Sequence, residues 1–254
     1  MVTITTTQSR VAWDSQFLSD SITDPGGFGV RDWQMQETPT SIFLAGCELG
    51  EARHVCAFFN SRDDEYGVTL PFIKDGFEFG DKAVHIVNPS RRTDHMQRLS
   101  GHGIDVSSSQ QNEQLEVLDW NDTYFRDGPF DPDRQLALLQ QTLRDGKEQG
   151  FRISRCIVHA EWALQEGASL DQLLEFEARA NQVWPRSADT VVCCYDLAQF
   201  SGDIVIDAIR THPMVIIGGF LQHNPFFVPP DEFLREFGGR KFLRSNSPIA
   251  ADGT

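Results

Sequence analysis

The sequence predicts an α/β fold, a three-layer sandwich around a mostly parallel central sheet, and three observations carry that expectation. From His54 onward short β-rich runs alternate with stretches of helical period, the pattern of successive βα units whose crossover helices cover a parallel sheet. The run Val191 to Cys194 is continuously apolar, and Met214 to Ile217 repeats the pattern, as strands buried on both faces must. Apolar residues make up 40% of the 254 residues and Phe alone numbers 19, enough to bury a sizeable core and to argue against general disorder.

Residues 1–45 are rich in Thr, Ser, Asp and Gly and contain the turn signal Asp24-Pro25-Gly26-Gly27, so they read as an N-terminal extension, partly ordered at most. Residues 46–242 form the principal domain, and 243–254 a frayed tail. The first strand is His54 to Phe59. Ser61 and Asp64 then have capping-box spacing, opening a helix with the stripe Tyr66, Leu70, Ile73 and Phe77 that ends at Gly80 and is kinked by Pro71. Ala83 to Val87 is the second strand, and Ser90 caps a helix that stops at Gly101. Leu115 to Leu118 is the third strand, followed by a long loop from Trp120 to Pro132. Leu136, Leu139 and Leu143 mark the next helix, and Ile153 to Val158 the fourth strand. Ser169 and Gln172 supply a second capping box, with Leu170, Leu173, Phe176, Ala180 and Val183 as the buried face. Thr190 to Tyr195, a helix around Ile204 to Arg210, the strand Met214 to Ile217 and a last short helix with Phe233, Leu234 and Phe237 complete the order.

A net charge of −15 repels a phosphate backbone at long range, and the short clusters Arg91/Arg92 and Arg235 to Arg244 do not make a basic stripe, so no nucleic-acid partner is expected. No apolar run approaches the roughly 20 residues of a membrane span. The five cysteines, Cys47, Cys56, Cys156, Cys193 and Cys194, show no C-x-x-C spacing, which suits reduced thiols and a cytoplasmic location.

In an open parallel sheet, ligands bind beyond the carboxyl ends of the strands. There the sequence places Asp63, Asp64 and Glu65, then Glu161, then Asp196, carboxylates able to hold a cation, ligand amines or hydroxyls, or to exchange protons. A phosphate loop needs G-x-x-x-x-G-K-[ST] after the first strand. The chain instead has Asn60-Ser61-Arg62-Asp63-Asp64-Glu65, whose carboxylates repel a triphosphate. His159-Ala160-Glu161 matches the H-x-E half of a zinc deaminase signature, but P-C-x-x-C is missing. His212, before Pro213, is either a ligand or proton donor at a strand edge or a residue fixing the turn.

Several stretches together resemble the MEDS sensory domain of methanogen and methylotroph sensors of the DcmR type, over roughly Ala52 to Arg240. They are His54 to Tyr66, Leu70 to Gly76, Tyr124 with Gly128 and Phe130, Glu161-Trp162-Ala163, Glu175 to Glu177 with Asn181, Cys194 to Asp196, Thr211 to Pro213 and Asn224 to Pro230. The resemblance implies a RecA- or KaiC-like fold without a working Walker A loop and a role in sensing small organic compounds. It brings no defined set of binding residues, and His159 stands where a small or neutral residue is expected. Nothing outside the matching region is long enough to be an output module, so signalling is expected through a regulatory protein partner such as a kinase, an anti-sigma factor or a transcription factor; a homo-oligomer is compatible with this.

The expected ligand site therefore comprises Phe59, Asp63, Glu65, Tyr124, Glu161, Trp162, Tyr195, Asp196, His212, Asn224 and Phe226. Glu161 and Asp196 are its polar anchors, and Tyr124 to Phe130 with Asn224 to Pro230 its roof. No catalytic residue, metal ligand or cofactor is assigned. The rival readings are a metal-dependent enzyme using the same acidic edge and a degenerate nucleotide-binding scaffold.

Overall fold

A computed structural model describes residues 41–183 and 188–246. Residues 1–40, most of the expected extension, and 247–254, most of the expected tail, lie outside the described residues. The described chain opens inside the segment read as extension, with a hairpin of β1 (Ile42–Leu44) and β2 (Cys47–Leu49). Ala45 and Gly46 join them, both at positive φ, 50° and 74°, as a two-residue turn between twisted antiparallel strands requires.

The main sheet has seven strands: β3 (His54–Phe59), β4 (Lys82–Val87), β5 (Leu115–Asp119), β6 (Ser154–His159), β7 (Thr190–Asp196), β8 (Met214–Ile217) and β9 (Phe220–His223). Their order is β5-β4-β6-β7-β3-β8-β9. All pairs are parallel except β8 with β9, which antiparallel pairing returns through Gly218 and Gly219. The helices are α1 (Arg62–Glu78), α2 (Arg92–Gly101), α3 (Val106–Gln111), α4 (Pro132–Glu148), α5 (Leu170–Ala180), α6 (Gly202–Thr211) and α7 (Pro230–Asn246).

Alternation along each strand divides the interior into two cores. Cys56, Phe58, Cys156, Val191 and Cys193 face one way and pack with α4 to α7; Val55, Ala57, Ile157, Val192 and Cys194 face the other and pack with α1 to α3 and the hairpin. This is the three-layer sandwich the sequence predicts. Local chemistry sets the helix starts: Ser61, Asp131 and Ser169 accept the backbone N–H groups of Asp64, Arg134 and Gln172. The described residues form one compact unit, and no described helix is long and apolar enough to cross a membrane.

Local details differ from expectation at several points. Asn88, not Ser90, provides the cap after β4; it accepts from the Ser90 N–H and starts a single 3-10 turn, Pro89–Arg91, before α2. As expected, helix α1 continues through Pro71, to Glu78, with Leu70, Phe72 and Ile73 buried on either side of the position where one backbone bond is lost. Helix α3 and strand β9 were not anticipated, because one is short and rich in Ser and Gln while the other buries only Leu221. The last helix is 17 residues long rather than short and extends into the segment read as tail.

Candidate functional site

Among the described residues, the carboxyl edge has no phosphate cradle after β3. Helix α1 begins at Arg62 directly after β3, and its first turn carries Asp63, Asp64 and Glu65. Asp63 turns outward to Arg98, 2.9 Å away. Glu65 turns inward, receives Arg62 at 3.0 Å, and meets His159 Nε2 at 2.9 Å through its other oxygen. Burial alone raises its carboxyl, but the charge and hydrogen bond of His159, with Arg62, hold it below the usual range. A buried row continues from Arg62 to Tyr66 at 3.1 Å, Tyr66 to His95 at 2.6 Å and His95 to His85 at 2.9 Å. Burial, then the charge of His159, drops the His85 imidazole to about 3, and burial, then the charge of His85, lowers His95 as well, so the two imidazoles are neutral at pH 7.

Glu161 lies in a 3-10 turn (Ala160–Leu164) after β6, and Asp196 ends β7. Arg91 reaches both, at 3.5 and 3.8 Å. Burial raises the Glu161 carboxyl while His159 and Arg91 oppose it, and its Oε2 is buried without a hydrogen-bond partner. Thus Glu65, Glu161 and Asp196 gather at this edge beside Phe59, which pairs in register with Asp196.

The other expected site residues do not join this acidic group. Tyr124 and Trp162 are stacked 4.4 Å apart, with Phe130 4.2 Å from Trp162. All three are buried, so the loop after β5 is pinned by aromatic packing. Asn224 and Phe226 do not roof this edge: β9 runs antiparallel and delivers them to the amino ends of the strands. There the Asn224 amide donates to Ile209 and His212 carbonyls, 2.6 Å each, and fixes the turn, while Phe226 is exposed.

His212 and Tyr195 belong to a second, fully buried cluster on the α5–α6 face. Glu177 of α5 is its centre: Oε2 lies 3.1 Å from His54 Nε2 and 3.4 Å from His212 Nε2, and Oε1 accepts the Tyr195 hydroxyl at 3.1 Å. Cys193 Sγ is 3.6 Å from both His54 Nε2 and Glu177 Oε2. Burial would raise the Glu177 carboxyl, yet His212 and His54 hold it well below the usual range. Burial, then Glu177, pushes the Cys193 thiol up to about 12. His212 also fixes its turn, as Nδ1 donates to Ala208 O at 2.8 Å.

Beside this cluster a cavity of about 220 Å³ lies between the sheet and helices α4 and α5. Val84, Ile86, Leu118, Val158, Leu139 and Phe176 are among its apolar lining; His54, Glu177 and Cys193 also line it, as do the polar side chains of Glu116, Gln135 and Arg126. Glu161 and Asp196 do not line it. Little in the sequence signals this site. His54, Glu177 and Cys193 read as ordinary strand and helix residues, and the one usable signal was a carboxylate, Glu177, on the buried face of an amphipathic helix.

The family model described as MEDS, MEthanogen/methylotroph DcmR Sensory domain, matches residues 53–213. No curated protein matches. Among solved structures, a KaiC-like protein from the hyperthermophilic archaeon Pyrococcus horikoshii OT3 is similar at 14% identity and a TM-score of 0.47, covering 64% of this chain and 69% of that one.

Proposed function

Since the chain belongs to the MEDS family of sensory domains, we propose that it senses a small, mainly apolar organic molecule held in the cavity between the sheet and α4 and α5. The observation that carries this reading is a mainly apolar space of about 220 Å³ under α4 and α5 whose lining includes His54, Glu177 and Cys193. Engineered apolar cavities of about 150 Å³ take up benzene, so the space suits a molecule of that order. Helix α4 covers it with Leu138 and Leu139, each only half-buried. Occupancy would therefore bear directly on how α4 and α5 sit on the sheet, and a regulatory protein partner reading that surface would register the ligand.

Benzene serves as a probe. At a hundredfold excess over its Kd, a molecule bound only to the folded state adds about 2.7 kcal/mol of stability, a rise of several degrees in Tm. Val158→Phe, which adds a ring inside the cavity, is expected to fold normally and lose that response. A wild-type protein indifferent to benzene, or an undiminished response in the variant, refutes the cavity assignment.

A second reading puts the ligand at the carboxyl edge, where Glu161 Oε2 is buried and unpartnered. On that reading Glu161→Gln and Asp196→Asn weaken binding of the natural ligand about tenfold or more, the weight of a lost charged hydrogen bond. Equilibrium titration of both variants separates the readings, because neither residue touches the cavity.

A further inference from the structure

We propose that His54, Glu177, Cys193 and His212 form a buried tetrahedral site for a divalent metal ion of the zinc class. Their ligand-type atoms all lie within 4.8 Å of one another. A tetrahedral zinc with nitrogen and oxygen at about 2.0–2.1 Å and thiolate at about 2.3 Å has ligand–ligand edges of about 3.3 Å, or about 3.6 Å where sulfur is one corner. Four of the six edges here are 3.1 and 3.4 Å from Glu177 Oε2 to the two imidazoles and 3.6 Å from Cys193 Sγ to His54 and to Glu177, and the other two lie within 4.8 Å.

The hydrogen bonds behind the cluster point the same way. The Asn181 amide nitrogen donates to the carbonyls of Glu177, Ala178 and Thr211. Its Oδ1 therefore faces His54 Nδ1, 3.0 Å away, and must accept from it. His212 Nδ1 donates to Ala208 O. Outer contacts of this kind fix the tautomer of metal-binding histidines and turn Nε2, with its lone pair, inward. With both rings neutral, the two Nε2 atoms confront the same carboxylate oxygen lone pair against lone pair, and His212 Nε2 has no hydrogen-bond partner of good geometry. A single proton relieves one of those contacts; a divalent cation relieves both. Charge agrees too. On binding, the Cys193 thiol releases its proton to solvent, and a dication with one thiolate, one carboxylate and two neutral imidazoles is neutral overall, as burial demands.

The site stands on its own geometry and does not depend on the organic ligand. The test is to strip the purified full chain with a chelator, verify by circular dichroism that it is folded, and titrate it with cobalt(II). Binding of about one equivalent, with a thiolate-to-cobalt charge-transfer band and displacement by zinc, is expected. Cys193→Ser should lose the band, whereas Cys156→Ser, whose thiol lines the cavity outside the cluster, should retain it. No band in the folded wild-type protein, or a band of full intensity in Cys193→Ser, overturns the proposal. Benzene uptake is read separately, so failure here leaves the cavity assignment intact.

Discussion

Asp81→Asn is expected to destabilise the protein by about 3–5 kcal/mol, the cost of stranding one member of a buried ion pair. Asp81 is fully buried just before β4 and holds Arg155 Nε at 2.8 Å and Arg152 at 2.9 Å. Arg152 is partly exposed and can turn to water. Arg155 cannot: its guanidinium donates to Phe72 O at 2.8 Å and lies over the Phe72 ring, and a Cβ on Gly76 would come within 2.9 Å of its stem. Burial already draws its pKa below the ordinary value against the pull of Asp81. A fall in Tm of roughly 10 °C should follow for a unit of this size. Adding Arg155→Met should restore most of the loss, because the stranded charge goes with it. Thermal and denaturant unfolding of the single and double variants measure both, and an unchanged Tm in Asp81→Asn would show that the pair contributes nothing.

Trp162→Ala should cost a similar amount, about 3–5 kcal/mol, by the transfer and cavity terms of losing a buried indole. Its effect differs in kind. Trp162 is stacked on Tyr124 and packed edge-on against Phe176 at 6.4 Å, and both of those rings line the cavity. The variant is therefore expected to lose the benzene response as well as stability, while Asp81→Asn, at the amino end of the sheet, keeps it below its lowered Tm. Tm measured with and without benzene distinguishes them. A Trp162→Ala protein that still responds fully would show that this aromatic stack does not shape the cavity.

Legibility followed the range of the signal. Ser61 and Ser169 announced helices α1 and α5 because a cap and its N–H lie three residues apart. Strand β7 announced itself through four consecutive apolar residues. Hairpin β1–β2 and strand β9 did not, since strands of three or four residues with one exposed face carry too little periodicity to register. The acidic edge was partly readable: Glu65, Glu161 and Asp196 do converge, though Arg91, which binds the last two, was seen only as a stray charge. Asn224 and Phe226 were misplaced because nothing local reveals that the chain turns back through β9.

The sequence by itself determined the alternation of strand and helix, the points where helices begin, and the replacement of a phosphate loop by a carboxylate-rich turn, since each is written in residues within one or two turns of each other. Only the tertiary structure decided that β3 inserts between β7 and β8. That pairing brings His54 beside Cys193, lays Glu177 of α5 over them, and closes the group with His212 from the α6–β8 turn. Four residues from distant segments meet because strand order, which depends on how whole layers pack, is not encoded in any local run.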